Sequence, residues 1–242
     1  MTREHTTEIT LPATPAEVWR ALTDASYVQA WYVPEARIDA RIGGEYFVSW
    51  GAGMEATATI EVLEPGRHLR VVSERKTAGN AEPVCIAIDY FLEAQGGETR
   101  LRLVHSGFLT SSEWDNEYNG TKMGWPVMLR ILRYGLAHHP GVPGRQRWLY
   151  STAPLSPVEA WRRFADVFRG APAEYASEPS EYCAPWSEPG GGLVYAAFAE
   201  RKGMTGISLH VVLYGEAAAR IGEAAADWTA RLETLYAASG KL

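Results

Sequence analysis

The chain has 242 residues, which is enough for one large or two small domains. Its hydrophobic fraction of 46% and its charged fraction of 21% are typical of a globular protein. A formal net charge of −6 argues against a nucleic-acid or anionic-membrane partner, and no apolar run approaches the roughly 20 residues of a membrane helix.

The N-terminal residues and the cysteines indicate a cytoplasmic protein. Met1 to His5 is polar and does not resemble a signal peptide. Cys85 and Cys183 are too few for a disulfide framework and lack the spacing of metal ligands. We therefore expect free thiols in a reducing compartment, and neither a metal nor a cofactor.

The chain begins with a predicted strand and a strongly signalled helix. Residues 4–11 alternate between apolar and polar side chains, which predicts a half-buried strand. Thr14, Pro15 and Glu17 then form the pattern of a capping box with proline at the first helical position. A second short helix is predicted from Ser26 to Trp31.

Six short strands are predicted next, separated by turns rich in glycine. The clearest alternation is that of Ile38, Ala40 and Ile42 with charged neighbours. Gly43-Gly44 then predicts a hairpin turn, and a polar loop is predicted at residues 77–83. By parity, the inward positions of these strands include Ile38, Ile42, Tyr46, Val48, Trp50, Ile60, Val62, Ile86, Ile88, Tyr90, Leu92, Leu101, Leu103 and His105.

A long amphipathic helix follows the strands. Trp125, Leu129, Leu132 and Leu136 recur at helical spacing and form one apolar stripe. Pro126 has no amide donor, so the regular helix either begins there or, if it begins nearer residue 112, kinks there. The preceding strands need a packing partner, and this stripe provides one.

The second half of the chain repeats features of the first. Ser156 to Arg162 reproduces the cap, proline, glutamate, tryptophan and arginine of the first helix, and Ile221 to Leu235 reproduces the apolar stripe containing a tryptophan. We predict domains at residues 1–139 and 148–242 with a linker at 140–147. The second domain would be a truncated copy lacking about four strands, with a long loop at residues 170–192.

Four motifs of the first half, taken in this order, resemble the activator of heat-shock ATPase homologue-like proteins of the START-like superfamily. They are Thr14–Trp19 with Trp31, Gly43–Tyr46, Glu64–Arg67, and Gly124-Trp125 with Leu129 and Leu132. The resemblance covers residues 4–137. It implies an α+β helix-grip fold, in which a seven-stranded antiparallel sheet wraps round the long C-terminal helix and encloses a cavity. A shortened second copy would follow.

The candidate site combines inward strand residues with residues of the helices and loops at the mouth and floor of this cavity. The candidate ligand-binding residues are Trp31, Tyr46, Trp50, Met54, Tyr90, His105, Phe108 and Trp125. Aromatic rings with a few polar tips suit an apolar ligand. His105 is the sharpest candidate for chemistry because imidazole titrates near neutrality. No catalytic residue is assigned.

Three functions are consistent with these features. Related domains bind lipids, hormones or polyketides, and some catalyse cyclisation. The first hypothesis is a binding protein for a hydrophobic or aromatic small molecule. The alternatives are a cyclase or hydrolase that uses the same cavity, and a protein that stimulates a chaperone ATPase. We favour a protein that is not an enzyme, with the shortened second half as a packing or homodimer partner.

Overall fold

The first helix begins at the cap that the sequence predicts, and the second begins one residue before its predicted start. The computed structural model describes residues 1–73, 84–168, 173, 175–178, 180–186 and 191–237. The Glu17 amide donates to the Thr14 hydroxyl, and the Thr14 amide donates to the Glu17 carboxylate at 2.8 Å, which completes the capping box. Helix α1 is Pro15–Thr23 and helix α2 is Ala25–Trp31, capped by Asp24.

Seven antiparallel strands form the sheet of the first half. They are β1 (Thr2–Leu11), β2 (Glu35–Ile38), β3 (Glu45–Ser49), β4 (Glu55–Glu64), β5 (His68–Ser73), β6 (Ala87–Gln95) and β7 (Glu98–Leu109). Their spatial order is β1-β7-β6-β5-β4-β3-β2, so the chain meanders from β2 to β7 and β1 pairs beside β7. The predicted loop at residues 77–83 lies outside the described residues.

The long helix α3 is Asp115–His138, preceded by a 3₁₀ turn at Ser112–Trp114. It runs through Pro126, so of the two predicted starts the one nearer residue 112 agrees with the structure and the one at Pro126 does not. Two acidic residues, Asp115 and Glu117, lie in the first turn, where they interact favourably with the helix dipole. Trp125, Leu129 and Leu132 are buried as predicted, and the sheet wraps round this helix to give a helix-grip fold of the α+β class.

The strand predicted around Ile38 to Ile42 is shorter than expected. Strand β2 ends at Ile38, and Ile42 is 59% exposed. The chain turns instead, because the Arg41 amide donates to the Asp39 carbonyl and the Gly44 amide donates to the Arg41 carbonyl. Gly44 is required here, since a Cβ atom would lie 2.0 Å from the Asp39 oxygen. Ile42 is therefore neither core nor cavity wall.

Residues 144–242 form a second compact unit, separate from the first unit at Met1–Pro143. Its elements are β8 (Gly144–Ala153), α4 (Pro157–Val167), β9 (Tyr175–Ser177), β10 (Glu181–Trp186), β11 (Gly192–Arg201), β12 (Met204–Tyr214), a 3₁₀ turn at Gly215–Arg220 and α5 (Ile221–Tyr236). The five strands are ordered β8-β12-β11-β10-β9. Strand β8 begins inside the segment predicted to be a linker.

The second unit keeps more strands than the sequence suggested. Strands β9 and β10 lie within the predicted loop at residues 170–192, parts of which lie outside the described residues. Strands this short, in a segment rich in proline and glycine, give little alternation to detect. The helix cap is also only half reproduced, because Ser156 accepts from the Glu159 amide while the Glu159 carboxylate pairs with Arg163.

His210 of β12 is buried, with 3% of its surface exposed. Its ring centroid lies 4.5 Å from that of Trp148 and 6.1 Å from that of Tyr195. This burial lowers the pKa of His210 to about 3.

No helix in the described part of the chain combines the length and the apolarity that a bilayer crossing requires.

Replacing Trp125 by alanine should destabilise the first unit by about 3–5 kcal/mol, because the side chain is almost fully buried. The measurement is urea unfolding followed through amide NMR signals of β7. Met123→Ala is the matched control, since Met123 lies on the same helix and is 71% exposed. Its effect should stay within about 0.5 kcal/mol. Equal effects of the two changes would contradict the packing described here.

The second unit should lose stability in acid because of His210. The unfolded chain binds a proton near pH 6.5, whereas the folded chain binds it only near pH 3. Stability is therefore lost as the pH falls below 6.5, by up to about 1.4 kcal/mol per pH unit from this residue. Urea unfolding at pH 7 and pH 5, followed through amide signals of β12, should show a weaker pH dependence in His210→Gln. The exposed His138→Gln is the control and should behave as the wild type does.

Candidate ligand site

Trp125 lies at the centre of a group of aromatic side chains between the sheet and the helices. Its ring stacks on Tyr32, the residue that ends α2, with 5.0 Å between ring centroids. Tyr90 of β6 and His105 of β7 meet Trp125 edge-on at 6.1 and 5.9 Å. Two helices and two adjacent strands are thereby joined through one indole ring.

Further rings extend this group on both sides. Trp31 stacks on Tyr32 at 5.3 Å, and Trp50 meets Tyr32 edge-on at 5.4 Å. On the other side, Phe108 lies 4.8 Å from His105. The aromatic cluster, as we define it, comprises His5, Trp31, Tyr32, Tyr46, Trp50, Tyr90, His105, Phe108 and Trp125. It contains no lysine, arginine, aspartate or glutamate.

Met54 is the one predicted site residue that does not join the aromatic cluster. Its side chain is 55% exposed, in the turn between β3 and β4. The Met54 amide donates to the Gly51 carbonyl, and the Met54 carbonyl accepts from the Trp50 amide, so a tight turn fixes its backbone. Met54 therefore lies apart from the aromatic cluster, in a turn, while the other seven predicted residues lie together.

Trp31 and Tyr46 use their polar atoms to complete the end of helix α1. The Trp31 indole N–H donates to the Ala21 carbonyl at 2.9 Å, and the Tyr46 hydroxyl donates to the Leu22 carbonyl at 3.1 Å. The last carbonyls of a helix have no partner within the helix itself. Trp31 thus links α1 to α2, and Tyr46 links α1 to strand β3. Because their polar atoms are already bonded, a ligand would contact mainly their rings.

The hydrogen bond between Trp125 and His105 fixes the protonation of the imidazole. The Trp125 indole N–H donates to Nδ1 of His105 at 3.0 Å. An indole nitrogen can only donate, so Nδ1 carries no proton and the neutral ring carries its proton on Nε2. The Nδ1 lone pair is therefore occupied, and His105 could use it as a base only if this bond broke.

His5 is a second buried histidine, which the sequence analysis did not select. It pairs with His105 across β1 and β7, and the two ring centroids are 5.4 Å apart. Nε2 of His5 lies 3.0 Å from the Thr121 hydroxyl, whose own proton goes to the carbonyl oxygens of Glu117 and Tyr118. Nε2 must then be the donor, which leaves Nδ1 of His5 unprotonated, buried and without a partner among the residues that the structure describes.

Four titratable side chains of the aromatic cluster, one histidine and three tyrosines, have pKa values shifted toward their uncharged forms. Burial, and to a lesser extent the charge of Lys122, lowers the pKa of His5. Burial raises the pKa of Tyr32, Tyr46 and Tyr90 well above the usual value of a phenol. At neutral pH the site therefore offers rings and uncharged polar groups.

Exposure changes along the inner face of the sheet. Tyr90, Leu101 and Leu103 have no exposed surface at all. Toward β4, the inward residues Ala58 and Ser73, which pair with each other, are only half-buried. Small side chains and partial exposure coincide there, so the inner face is more accessible near Ala58 than at Tyr90, Leu101 and Leu103.

Other groups of charged or metal-binding side chains in the described residues do not contribute to the candidate ligand site. No group of three or more histidine, cysteine, aspartate or glutamate side chains there could hold a metal ion. Asp89, with outward parity, pairs on the opposite face with His68 at 2.7 Å and with Arg70. It supplies no carboxylate to His105.

The sheet, the clasped helix and the aromatic cluster between them define a helix-grip protein of the START-like class. Residues 12–136 match the model of the family described as Activator of Hsp90 ATPase homolog 1-like protein. The chain belongs to this family. A comparison with curated proteins finds no match.

Solved structures of similar fold come from several bacteria. Protein MLL2253 from Mesorhizobium loti is 23% identical, with a TM-score of 0.52 over 57% of this chain and 98% of that chain. CalU16 from Micromonospora echinospora is 23% identical, covering 57% and 78% of the two chains with a TM-score of 0.46. The Aha1 dimer from Colwellia psychrerythraea is 19% identical, covering 57% and 99% with a TM-score of 0.48. The first of these supports the fold and nothing finer.

The protonation of His105 can be tested directly. Long-range ¹H–¹⁵N NMR at pH 7.5 should show the Nε2–H tautomer, because Trp125 occupies Nδ1. Trp125→Phe keeps a ring and removes the donor, so the tautomers should then mix. Trp31→Phe removes an indole N–H that is bonded to a backbone carbonyl, and it should leave the His105 signals unchanged. An Nδ1–H tautomer in the wild type would refute the assignment.

Proposed function

We propose that the first unit binds an apolar or aromatic small molecule between its sheet and α3. The observation that carries this proposal is the convergence of uncharged aromatic side chains on Trp125, behind a half-buried inner face. Ligand sites for small molecules are mostly apolar, with a small number of polar groups that orient the ligand. The aromatic cluster has this composition.

The enzyme alternative receives less support. A general base needs a free lone pair within reach of its substrate. The Nδ1 lone pair of His105 is engaged by Trp125, and the nearby carboxylate Asp89 belongs to the opposite face. The three tyrosines have raised pKa values, which makes their phenolate forms scarce at neutral pH. Binding is therefore the simpler use of this site.

We further propose that the second unit is a shortened copy of the first. The support is the shared order of a strand, a helix with serine or threonine as its cap and proline at its start, further strands and a C-terminal helix with a buried tryptophan. In the second unit the rings of Trp228 and Phe168 stack with centroids 5.7 Å apart, within a cluster of buried apolar side chains. We assign the binding function to the first unit alone, because the aromatic cluster lies there.

A cytoplasmic location also remains our proposal. Cys85 is a free and exposed thiol. Reducing compartments keep such thiols from pairing.

Binding can be tested with the neutral fluorescent probe N-phenyl-1-naphthylamine. We expect saturable binding to the wild type. Ala58→Phe, which fills the half-buried part of the inner face, should weaken binding at least about tenfold because the added ring occupies the access region. The probe titration should be accompanied by circular dichroism to verify that the variants are folded.

Thr59→Phe is the matched control. Thr59 is the next residue of β4, points to the opposite face and is exposed. Its substitution should leave the affinity for the probe within about twofold of the wild type. Absence of binding, or equal effects of the two substitutions, would reject the proposed site.

A further inference from the structure

Helix α3 consists of two parts that differ in burial. No residue in the range 115–124, which we call the strap, is buried. The remaining part of the helix buries Trp125, Met128, Leu129, Ile131, Leu132 and Tyr134. Trp114, immediately before the strap, has no exposed surface, so a buried tryptophan lies at each end of the strap. Segments that bury few apolar side chains open locally at a low cost in free energy.

The strap also contains two residues that weaken a helix. Gly120 and Gly124 lie inside α3, and a Cβ atom added at either position would meet none of the described residues within 4 Å beyond the adjoining helical backbone. Packing therefore does not require glycine at these positions. Each glycine nevertheless makes the helix about fivefold less favourable than alanine would. The strap is thus a poor helix former for reasons that its contacts do not explain.

Pro126 lies where a shorter helix would begin. Proline has no amide hydrogen, so inside α3 it leaves the Lys122 carbonyl without the usual helical bond from residue 126. At the first position of a helix an amide has no helical partner in any case, and the fixed φ angle of proline suits that position. If the strap lost its helical structure, the rest of α3 would begin at a residue suited to a helix start.

The polar contacts between the strap and the edge strand β1 lie close to solvent. Arg3 pairs with Asp115 at 2.6 Å, and both side chains are partly exposed. The Tyr118 hydroxyl donates to the Glu4 carbonyl at 3.1 Å in an exposed hydrogen bond. Ion pairs and hydrogen bonds in such places contribute little, because water replaces them when they break. These contacts therefore hold the strap only weakly.

The strap covers one side of the aromatic cluster. The Tyr118 ring meets the rings of His5 and Phe108 edge-on, at 5.3 and 5.5 Å between centroids. His5 also donates to the Thr121 hydroxyl at 3.0 Å. Phe108 has no exposed surface and His5 is 6% exposed. Removal of the strap would uncover the side of the cluster on which these two rings lie.

We propose that α3 has two forms. In the closed form the strap is helical and lies on β1. In the open form the strap loses its helical structure and leaves β1, while the helix from Pro126 onward keeps its packing. Resting on the binding function proposed above, the open form is the entrance by which a ligand reaches the His5 side of the aromatic cluster. This entrance lies at the β1 edge of the sheet, away from Ala58 on β4.

Amide hydrogen exchange of the unliganded protein tests for the two forms. Amides of residues 119–124 should open together, with protection at least about 100-fold lower than that of residues 129–136. The double variant Gly120→Ala/Gly124→Ala should raise the protection of the strap roughly 25-fold, since each change favours the helix about fivefold. Equal protection of the two parts of α3, or no effect of the double variant, would overturn the proposal.

Gly222→Ala is the matched control. Gly222 is a glycine of helix α5 in the second unit, and an added Cβ atom there also meets open space among the described residues. Its replacement should leave the protection of residues 119–124 within about twofold of the wild type. A gain equal to that of the double variant would show that the exchange of the strap reports overall stability and not local opening.

The role of the strap in ligand entry is tested by stopped-flow fluorescence with N-phenyl-1-naphthylamine. In Gly120→Ala/Gly124→Ala, association and dissociation of the probe should both slow by roughly 25-fold, because the open form becomes scarcer in the free and in the bound protein. The affinity should stay within about twofold of the wild type, since the closed form is unchanged.

The outcomes separate this inference from the binding function. If the probe binds and its rates are the same in the double variant, ligands do not enter through the strap, and the binding function stands. If the probe does not bind the wild type, the binding function fails and the entrance with it. Hydrogen exchange then still decides whether α3 has the open form.

Discussion

The first unit depends on the way Trp125 is held. Its ring stacks on Tyr32, and its indole N–H donates to His105. The first contact fixes α3 against α2, and the second fixes it against β7. A flat ring with one donor can satisfy both only in a narrow range of orientations, so the contacts that bury the tryptophan also set the angle at which the helix crosses the sheet. Tyr90 and His105 meet the ring edge-on in that orientation.

The alternation of side chains along strands correctly predicts some inward positions and wrongly predicts one other. Tyr46, Tyr90 and His105 were placed on the inner face because side chains alternate along a strand. The same rule placed Ile42 inside, although the chain turns between Asp39 and Gly44. An alternating pattern records only side-chain types, and it does not detect that backbone amides have changed partners.

The residues that were missed separate into two kinds. His5 lies on the same face of the first strand as Thr7 and Ile9. The alternation of side chains along the strand therefore could have predicted that His5 points inward. The position of Tyr32 could not be predicted in this way. It ends a short helix that has no periodic pattern, and its side chain is placed by packing on Trp125. Two strands, β9 and β10, were also not predicted. They are held by pairing with β11, a long-range contact that local composition does not record.

The buried polar atoms of the aromatic cluster fall into two groups with different consequences. The polar atoms of Trp31, Tyr46 and Trp125 are hydrogen-bonded within the protein, so removing them should mainly lower the stability of the fold. The hydroxyl of Tyr90 and Nδ1 of His5 are buried and have no hydrogen-bond partner in the described part of the chain. They contribute no hydrogen-bond energy to the folded state, and they are therefore the atoms at which an incoming molecule can gain a bond without breaking one.

Since a phenol can donate and an unprotonated imidazole nitrogen can only accept, the two atoms would select opposite groups on a ligand. Tyr90 is in direct ring contact with Trp125, whereas the ring contacts of His5 are with His105, Phe108 and Tyr118. A ligand that packs on the central tryptophan therefore meets the donor first.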